Sequence, residues 1–131
     1  MSNQLDNSVT NISPQEFVAF SNPPLLIDVR SNLEYKSGHA PNALNLSLPR
    51  VLMGSIPLLR QWMWPEWFQN LSPEREIAII CFTAHRSPIV AKQLAKWGFK
   101  CVYNVTGGMV EWKKLGFETR KGNEPTPATS V

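Results

Sequence analysis

At 131 residues, with 43% hydrophobic residues and a formal net charge of +3, the chain has the size and composition of one globular domain with a core of its own. No apolar run approaches the ~20 residues of a membrane-spanning helix, and Met1 to Asn7 lack the basic and apolar parts of a secretory signal. The expected location is therefore the cytoplasm, with no membrane partner.

The positive charge is uneven. Arg86, Lys92, Lys96, Lys100, Lys113, Lys114, Arg120 and Lys121 face only Glu111 and Glu118 in the same stretch. Lys92, Lys96 and Lys100 recur every four residues, as on the solvated face of a helix; a docking face for an acidic partner is the other reading. No aromatic-interleaved basic motif points to nucleic acid.

Residues 1–8 are polar and predict a disordered N-terminus. Val9 to Ile12 suits a short strand. Ser13-Pro14-Gln15-Glu16 is a helix start with a capping box, and Ile12 and Phe17 are spaced as a hydrophobic staple. This helix ends by Asn22-Pro23-Pro24. Leu25 to Arg30 reads as a second strand, apolar and then charged, with Asp28 and Arg30 at its carboxyl end. Ser37 to Asn42 is turn-like, and Asn42 after Pro41 can take the left-handed place of a type II turn. Ala43 to Leu46 would be a third strand.

Val51 to Phe68 carries Trp62, Trp64 and Trp67 with Pro57 and Pro65, which predicts two short helical pieces broken by the prolines. The tryptophans either pack on the sheet or form an exposed surface for a partner or a second copy. Ser72 to Glu76 is a turn into the stretch that organises the chain. Ile77 to Ile80 is too short for an ordinary helix, and its unalternated apolar run suits a parallel strand buried on both faces. It ends at Cys81. After a short polar loop, Ser87-Pro88 opens a helix with Ser87 as the expected N-cap, Val90, Leu94 and Trp97 at helical spacing, and Gly98 as the stop. Cys101 to Val105 is a further strand, Thr106-Gly107-Gly108 a turn whose glycines could also cradle an anion, and Met109 to Leu115 a last helix. The domain is expected over 9–118 and a flexible tail over 119–131.

Strands alternating with helices imply a three-layer α/β domain: a mostly parallel sheet of about five strands with helices on both faces. Sites in such sheets lie outside the carboxyl ends of the strands, where Asp28, Arg30, Ser47, Cys81 and Thr106 would gather. Cys101 opens a strand while Cys81 closes one, so the two are expected at opposite ends and free.

A sulfur at a strand tip facing a helix N-terminus meets unpaired backbone N–H groups and the positive end of the helix dipole, which favour thiolate over thiol. His85 and Arg86 add donors and positive charge that would draw an anionic substrate. Such a thiolate can accept a group, hold it among N–H donors and hand it on. The alternative is a buried cysteine acting as a small hydrophobe. The chemical reading needs a sulfur that opens to solvent.

The sequence resembles the rhodanese family of sulfurtransferases. The resemblance rests on Leu26-Ile27-Asp28-Val29-Arg30, on Glu34-Tyr35 with Gly38-His39-Ala40-Pro41-Asn42-Ala43, and on the Cys81 loop ending in Arg86-Ser87. Gly98-Phe99, Val102-Tyr103-Asn104-Val105 and Gly107-Gly108 with Trp112 complete it, in the family's order. It implies a rhodanese-like fold and a thiosulfate sulfurtransferase, in which Cys81 takes a sulfane sulfur as a persulfide and passes it to cyanide or another thiophile. No cofactor or metal is implied; the implied partners are a small anionic sulfur donor and a thiol acceptor, which can be a protein.

On the same resemblance, the substrate-binding loop is Phe82, Thr83, Ala84, His85, Arg86 and Ser87. Its backbone N–H groups would hold the outer sulfur, Arg86 would bind the donor, and the Ser87 hydroxyl would donate to the thiolate unless it is spent on capping. Asp28 and Arg30 would hold the loop, or form a surface or inter-strand ion pair. His39 would tie down its own turn, acid–base work being the other reading. Two departures stand out: Ala84 and Asn42 replace glycines common in the family. The aromatic segment is longer than in the smallest members, and from the end of its strand it could roof the pocket. A phosphatase or arsenate reductase of related fold has five residues between cysteine and arginine, whereas here four separate Cys81 from Arg86. A sulfur-relay or binding module is the remaining alternative.

Overall fold

The computed structural model describes residues 9–83 and 85–125; the expected loose N-terminus, the end of the expected tail and Ala84 lie outside them. Five strands, β1 Val9–Ile12, β2 Leu25–Asp28, β3 Leu44–Asn45, β4 Ile77–Ile80 and β5 Val102–Val105, form one parallel sheet in the order β1-β5-β4-β2-β3. β4 lies between β5 and β2, and all four of its residues are buried. That placement explains its unbroken apolar run: with neighbours on both edges and helices on both faces, no position meets water.

Strand alternation divides the core into two halves. Ile77, Ile79 and Cys81 pack on one face with Val9, Ile27, Val29, Val51, Phe68, Val90 and Leu94. Ala78 and Ile80 pack on the other with Phe17, Tyr35, Val105, Met109 and Trp112. The first face is covered by α3 Leu48–Met53, α5 Glu66–Gln69 and α6 Ser87–Lys96, the second by α1 Pro14–Val18, α2 Asn32–Ser37 and α7 Gly108–Lys114. Cys81 thus has the parity that aims it at α6. The capping box of α1 is present, with the Ser13 hydroxyl accepting from the Glu16 N–H at 3.1 Å and the Glu16 carboxylate from the Ser13 N–H at 2.8 Å. Asn42 takes its left-handed conformation at φ 67°.

The aromatic segment departs from the two expected pieces. It holds α3, a 3₁₀ turn at Pro57–Leu59, α4 Arg60–Met63 and α5, and it starts earlier than Val51 because Pro49 occupies the first turn of α3. Trp64 packs edge-on against Phe68 and Trp97, at 4.9 and 5.2 Å between centroids, and its indole N–H donates to the Val51 carbonyl. Trp62 stays exposed. A pocket of about 290 Å³ lined by Trp64, Phe68, Trp97 and Phe99 lies at the C-terminal end of α6, the end remote from Cys81. There the segment lines a pocket of its own, while its Val51 and Phe68 share one core cluster with Cys81.

The chain also stays on the domain beyond the expected boundary at 118. His39 and Arg120 exchange backbone hydrogen bonds at 2.8 Å each, and the Gly122 N–H donates to the Lys36 carbonyl. Among the described residues no helix is long and apolar enough to cross a membrane.

Candidate active site

The end of β4 delivers Cys81, and α6 begins six residues later at Ser87. Cys81 and Ser87 are both fully buried, and the sulfur lies 3.4 Å from the Ser87 hydroxyl oxygen. Ser87 is not the N-cap. Arg86 holds that place with helical backbone angles and makes no side-chain cap bond. The serine sits one position inside the helix, so its side chain turns from the helix amides to the sulfur. Of its loop neighbours, Phe82 and His85 are exposed and Thr83 and Arg86 half-buried. The sulfur does not show the solvent opening that the chemical reading expects. Burial among Val29, Ile79 and Val90 suits a small hydrophobe equally; the thiol donates to the Ser87 hydroxyl oxygen, and a hydroxyl so placed can turn its own proton to the sulfur once the thiol ionises.

Gly107 and Gly108 serve the cysteine from behind. Both have left-handed backbone, at φ 76° and 58°, and they bring the first amides of α7 onto the strand end. The Met109 N–H donates to the Cys81 carbonyl at 2.7 Å and the Val110 N–H to the Phe82 carbonyl at 3.0 Å. A Cβ on Gly108 would stand 2.4 and 2.5 Å from those two carbonyl oxygens. The glycine pair seats a helix on the backbone that carries Cys81.

Arg86 has a partner that nothing local in the sequence announces. Its Nη1 and Nη2 donate to the two carboxylate oxygens of Glu34, at 2.9 and 3.1 Å. Glu34 lies in the first turn of α2, where the same carboxylate accepts from the Ser31 N–H at 2.9 Å and the Ser31 hydroxyl at 3.0 Å. The Arg86 guanidinium holds the Glu34 carboxyl down at about 2, and Glu34 in turn raises Arg86. The Ser31-to-Glu34 spacing is a capping-box signal; the pairing across to the loop leaves no trace in sequence spacing.

Asp28 and Arg30 form a buried pair, with Arg30 Nη2 and Nε at 2.8 and 3.0 Å from the two Asp28 oxygens. Arg30 Nη2 also donates to the Gly38 carbonyl at 2.6 Å, while Asn45 Nδ2 donates to the Asp28 and Arg30 carbonyls. These contacts run to the turn after α2. His39 in that turn is buried, stacked on Tyr35 at 3.7 Å, with Nδ1 2.8 Å from the Tyr35 carbonyl, and Tyr35 donates its hydroxyl to the Ala43 carbonyl. Ser47 precedes α3 without a side-chain cap bond, and Thr106 donates its hydroxyl to the Ile12 carbonyl. Asp28, Arg30 and Thr106 bond to backbone or to one another at the sheet edge, and Ser87, from the first turn of α6, lies against the sulfur. No group of three or more histidine, cysteine or carboxylate side chains gathers as metal ligands among the described residues. Cys101 is free and half-buried.

A sequence profile of the rhodanese-like domain matches residues 13–115, from the α1 capping box through α7. The chain belongs to the rhodanese-like family. The Bacillus subtilis protein YtwF is 38% identical over 88 residues, covering 67% of this chain and 72% of that protein. The thiosulfate sulfurtransferase GlpE of Coxiella burnetii is 29% identical over 89 residues, covering 68% and 71%. Among solved structures, the homodimeric polysulfide-sulfur transferase of Wolinella succinogenes matches with a TM-score of 0.63 at 31% identity, covering 90% of this chain and 82% of that one. The Coxiella and Wolinella proteins are named for sulfur transfer, whereas other relatives at 30–32% identity are named tRNA uridine(34) hydroxylases.

Proposed function

We propose that the protein is a rhodanese-type sulfurtransferase that carries a sulfane sulfur on Cys81. The thiolate attacks the outer sulfur of a donor such as thiosulfate. The S–S bond of the donor breaks, its electron pair leaves with sulfite, and Cys81 becomes a persulfide. Cyanide or a thiol then attacks the outer sulfur, and Cys81 leaves as thiolate. The observation that carries this reading is the Ser87 hydroxyl 3.4 Å from a sulfur at the β4–α6 junction, where a hydroxyl can stabilise the thiolate and helix amides can face the added sulfur.

Full burial of Cys81 adds a condition: the exposed loop residues must part from the sulfur before a donor reaches it. In this reading the N–H groups of Phe82 to Ser87 bind the outer sulfur, and Asp28 and Arg30 support the site through the turn at Gly38. Transfer to a protein thiol is the relay version of the same chemistry.

Intact-mass spectrometry tests it. Thiosulfate should add one sulfur atom to the wild-type protein and cyanide should remove it; Cys81→Ser should abolish the gain while Cys101→Ser keeps it. A wild-type protein whose mass does not change with any sulfane donor is not a sulfurtransferase.

A further inference from the structure

The Cys81–Ser87 loop contains one permanent cation, Arg86, and the structure spends it. Both terminal nitrogens of its guanidinium bind Glu34, so the fork that would grip an oxyanion is already occupied by one. The occupant is fixed. Glu34 is anchored at Ser31 by two further hydrogen bonds that belong to the helix cap, and it can leave Arg86 only by abandoning or distorting that cap.

We propose that Glu34 is a specificity-determining residue that turns the Cys81 loop away from doubly charged donors and toward persulfides of low net charge. The proposal rests on the sulfurtransferase reading. A dianion such as thiosulfate must compete with a tethered carboxylate for Arg86, and it enters a loop whose cation is already neutralised. A zwitterionic persulfide, R–S–SH, needs no oxyanion fork. Cys81 thiolate takes its terminal sulfur together with the proton, and the inner sulfur of the donor leaves as thiolate. The remaining attraction for the transferred sulfur comes from backbone amides, which serve both donor classes alike.

The sequence and structure also supply a clean test. Glutamine at the third helical position can still close a capping box, so Glu34→Gln removes the charge and keeps an acceptor for the Ser31 N–H. The measurement is kcat/KM for single-turnover sulfur uptake from thiosulfate and from cysteine persulfide, expressed as a ratio that does not depend on the active fraction. Glu34→Gln should raise the thiosulfate-to-persulfide ratio about tenfold, chiefly through thiosulfate. Glu34→Ala should shift the ratio the same way despite losing the cap bond, and adding Arg86→Gln should abolish the gain. An unchanged ratio in Glu34→Gln and Glu34→Ala, or equal losses with both donors, overturns the proposal while leaving sulfur transfer standing. If the wild type takes sulfur from neither donor, the sulfurtransferase reading fails and this one with it.

Discussion

Arg86 and Glu34 stand 52 positions apart in the chain and join the loop after β4 to the first turn of α2 through two hydrogen bonds. The pair makes acid stability a readout of the closed loop. Arg86 holds the Glu34 carboxyl at about 2, below its ordinary 4.5. A carboxylate depressed in the folded state contributes stability that is complete above its unfolded value and lost as pH falls through its folded one. The window is therefore from 4.5 down to about 2. About a third of each side chain remains exposed, so solvent screening limits the contribution to roughly 1 kcal/mol. In urea titrations, the advantage of wild type over Glu34→Gln should shrink by about that amount across this window. Parallel curves would mean that the pair is not held in solution.

Ser87 separates two uses of one hydroxyl. A serine N-cap replaced by alanine costs ~1 kcal/mol of stability. A hydroxyl that serves the thiolate costs rate instead, because a hydrogen bond to a charged group contributes ~1.5–3 kcal/mol. With Arg86 at the cap position and the hydroxyl 3.4 Å from the sulfur, Ser87→Ala should slow sulfur uptake tenfold or more, to within order of magnitude, and leave the urea midpoint nearly unchanged. A destabilised variant with normal uptake would return the hydroxyl to the helix cap.

Gly108 should be far less replaceable than another left-handed glycine of the same chain. At Gly116, φ is 79° and an added Cβ meets nothing within 4 Å, so alanine there carries only the left-handed backbone cost of ~1–2 kcal/mol. At Gly108 the Cβ meets the Cys81 and Phe82 carbonyl oxygens, which are held in place by the amides of α7. Gly108→Ala should lose at least about 1–3 kcal/mol more than Gly116→Ala, and its residual folded form should transfer sulfur slowly because the cysteine backbone has moved. Equal losses at the two glycines would show that α7 yields easily.

What the sequence revealed follows from how local each signal is. β4 was readable because burial on both faces removes alternation, and the parity of Cys81 follows from the strand itself. The capping box at Ser13 and the turn at Asn42 involve residues within a few positions of one another. Ser87 sits one position inside the helix that Ser-Pro predicts it to cap, because Ser-Pro opens a helix equally well with serine at the cap or just inside it; contact with Cys81 decides. The segment from Leu48 to Gln69 was hard because its short helices are fixed by Trp64 packing on Trp97 and by the indole bond to Val51, not by periodicity. The partner of Arg86 and the pairing of Arg120 with His39 are distant in sequence and had no local signature.

Asp28 and Arg30 offer a test of what supports the loop. The pair is buried, and its contacts run to the Gly38 carbonyl and, through Asn45, to β3. Arg30→Met leaves Asp28 without its cation and Gly38 without its donor. Breaking a buried pair from one side costs ~3–5 kcal/mol, whereas replacing both members by apolar groups is often close to neutral. Arg30→Met should therefore lower the unfolding free energy by about that much, and adding Asp28→Leu should recover at least half of the loss. If the pair supports the turn after α2 and reaches the cysteine only through it, the folded double variant should still take sulfur onto Cys81, with slower kinetics as α2 and Glu34 loosen. A double variant that folds with wild-type stability but takes up no sulfur would show instead that the two residues hold the Cys81 loop directly, the role that the family resemblance implies.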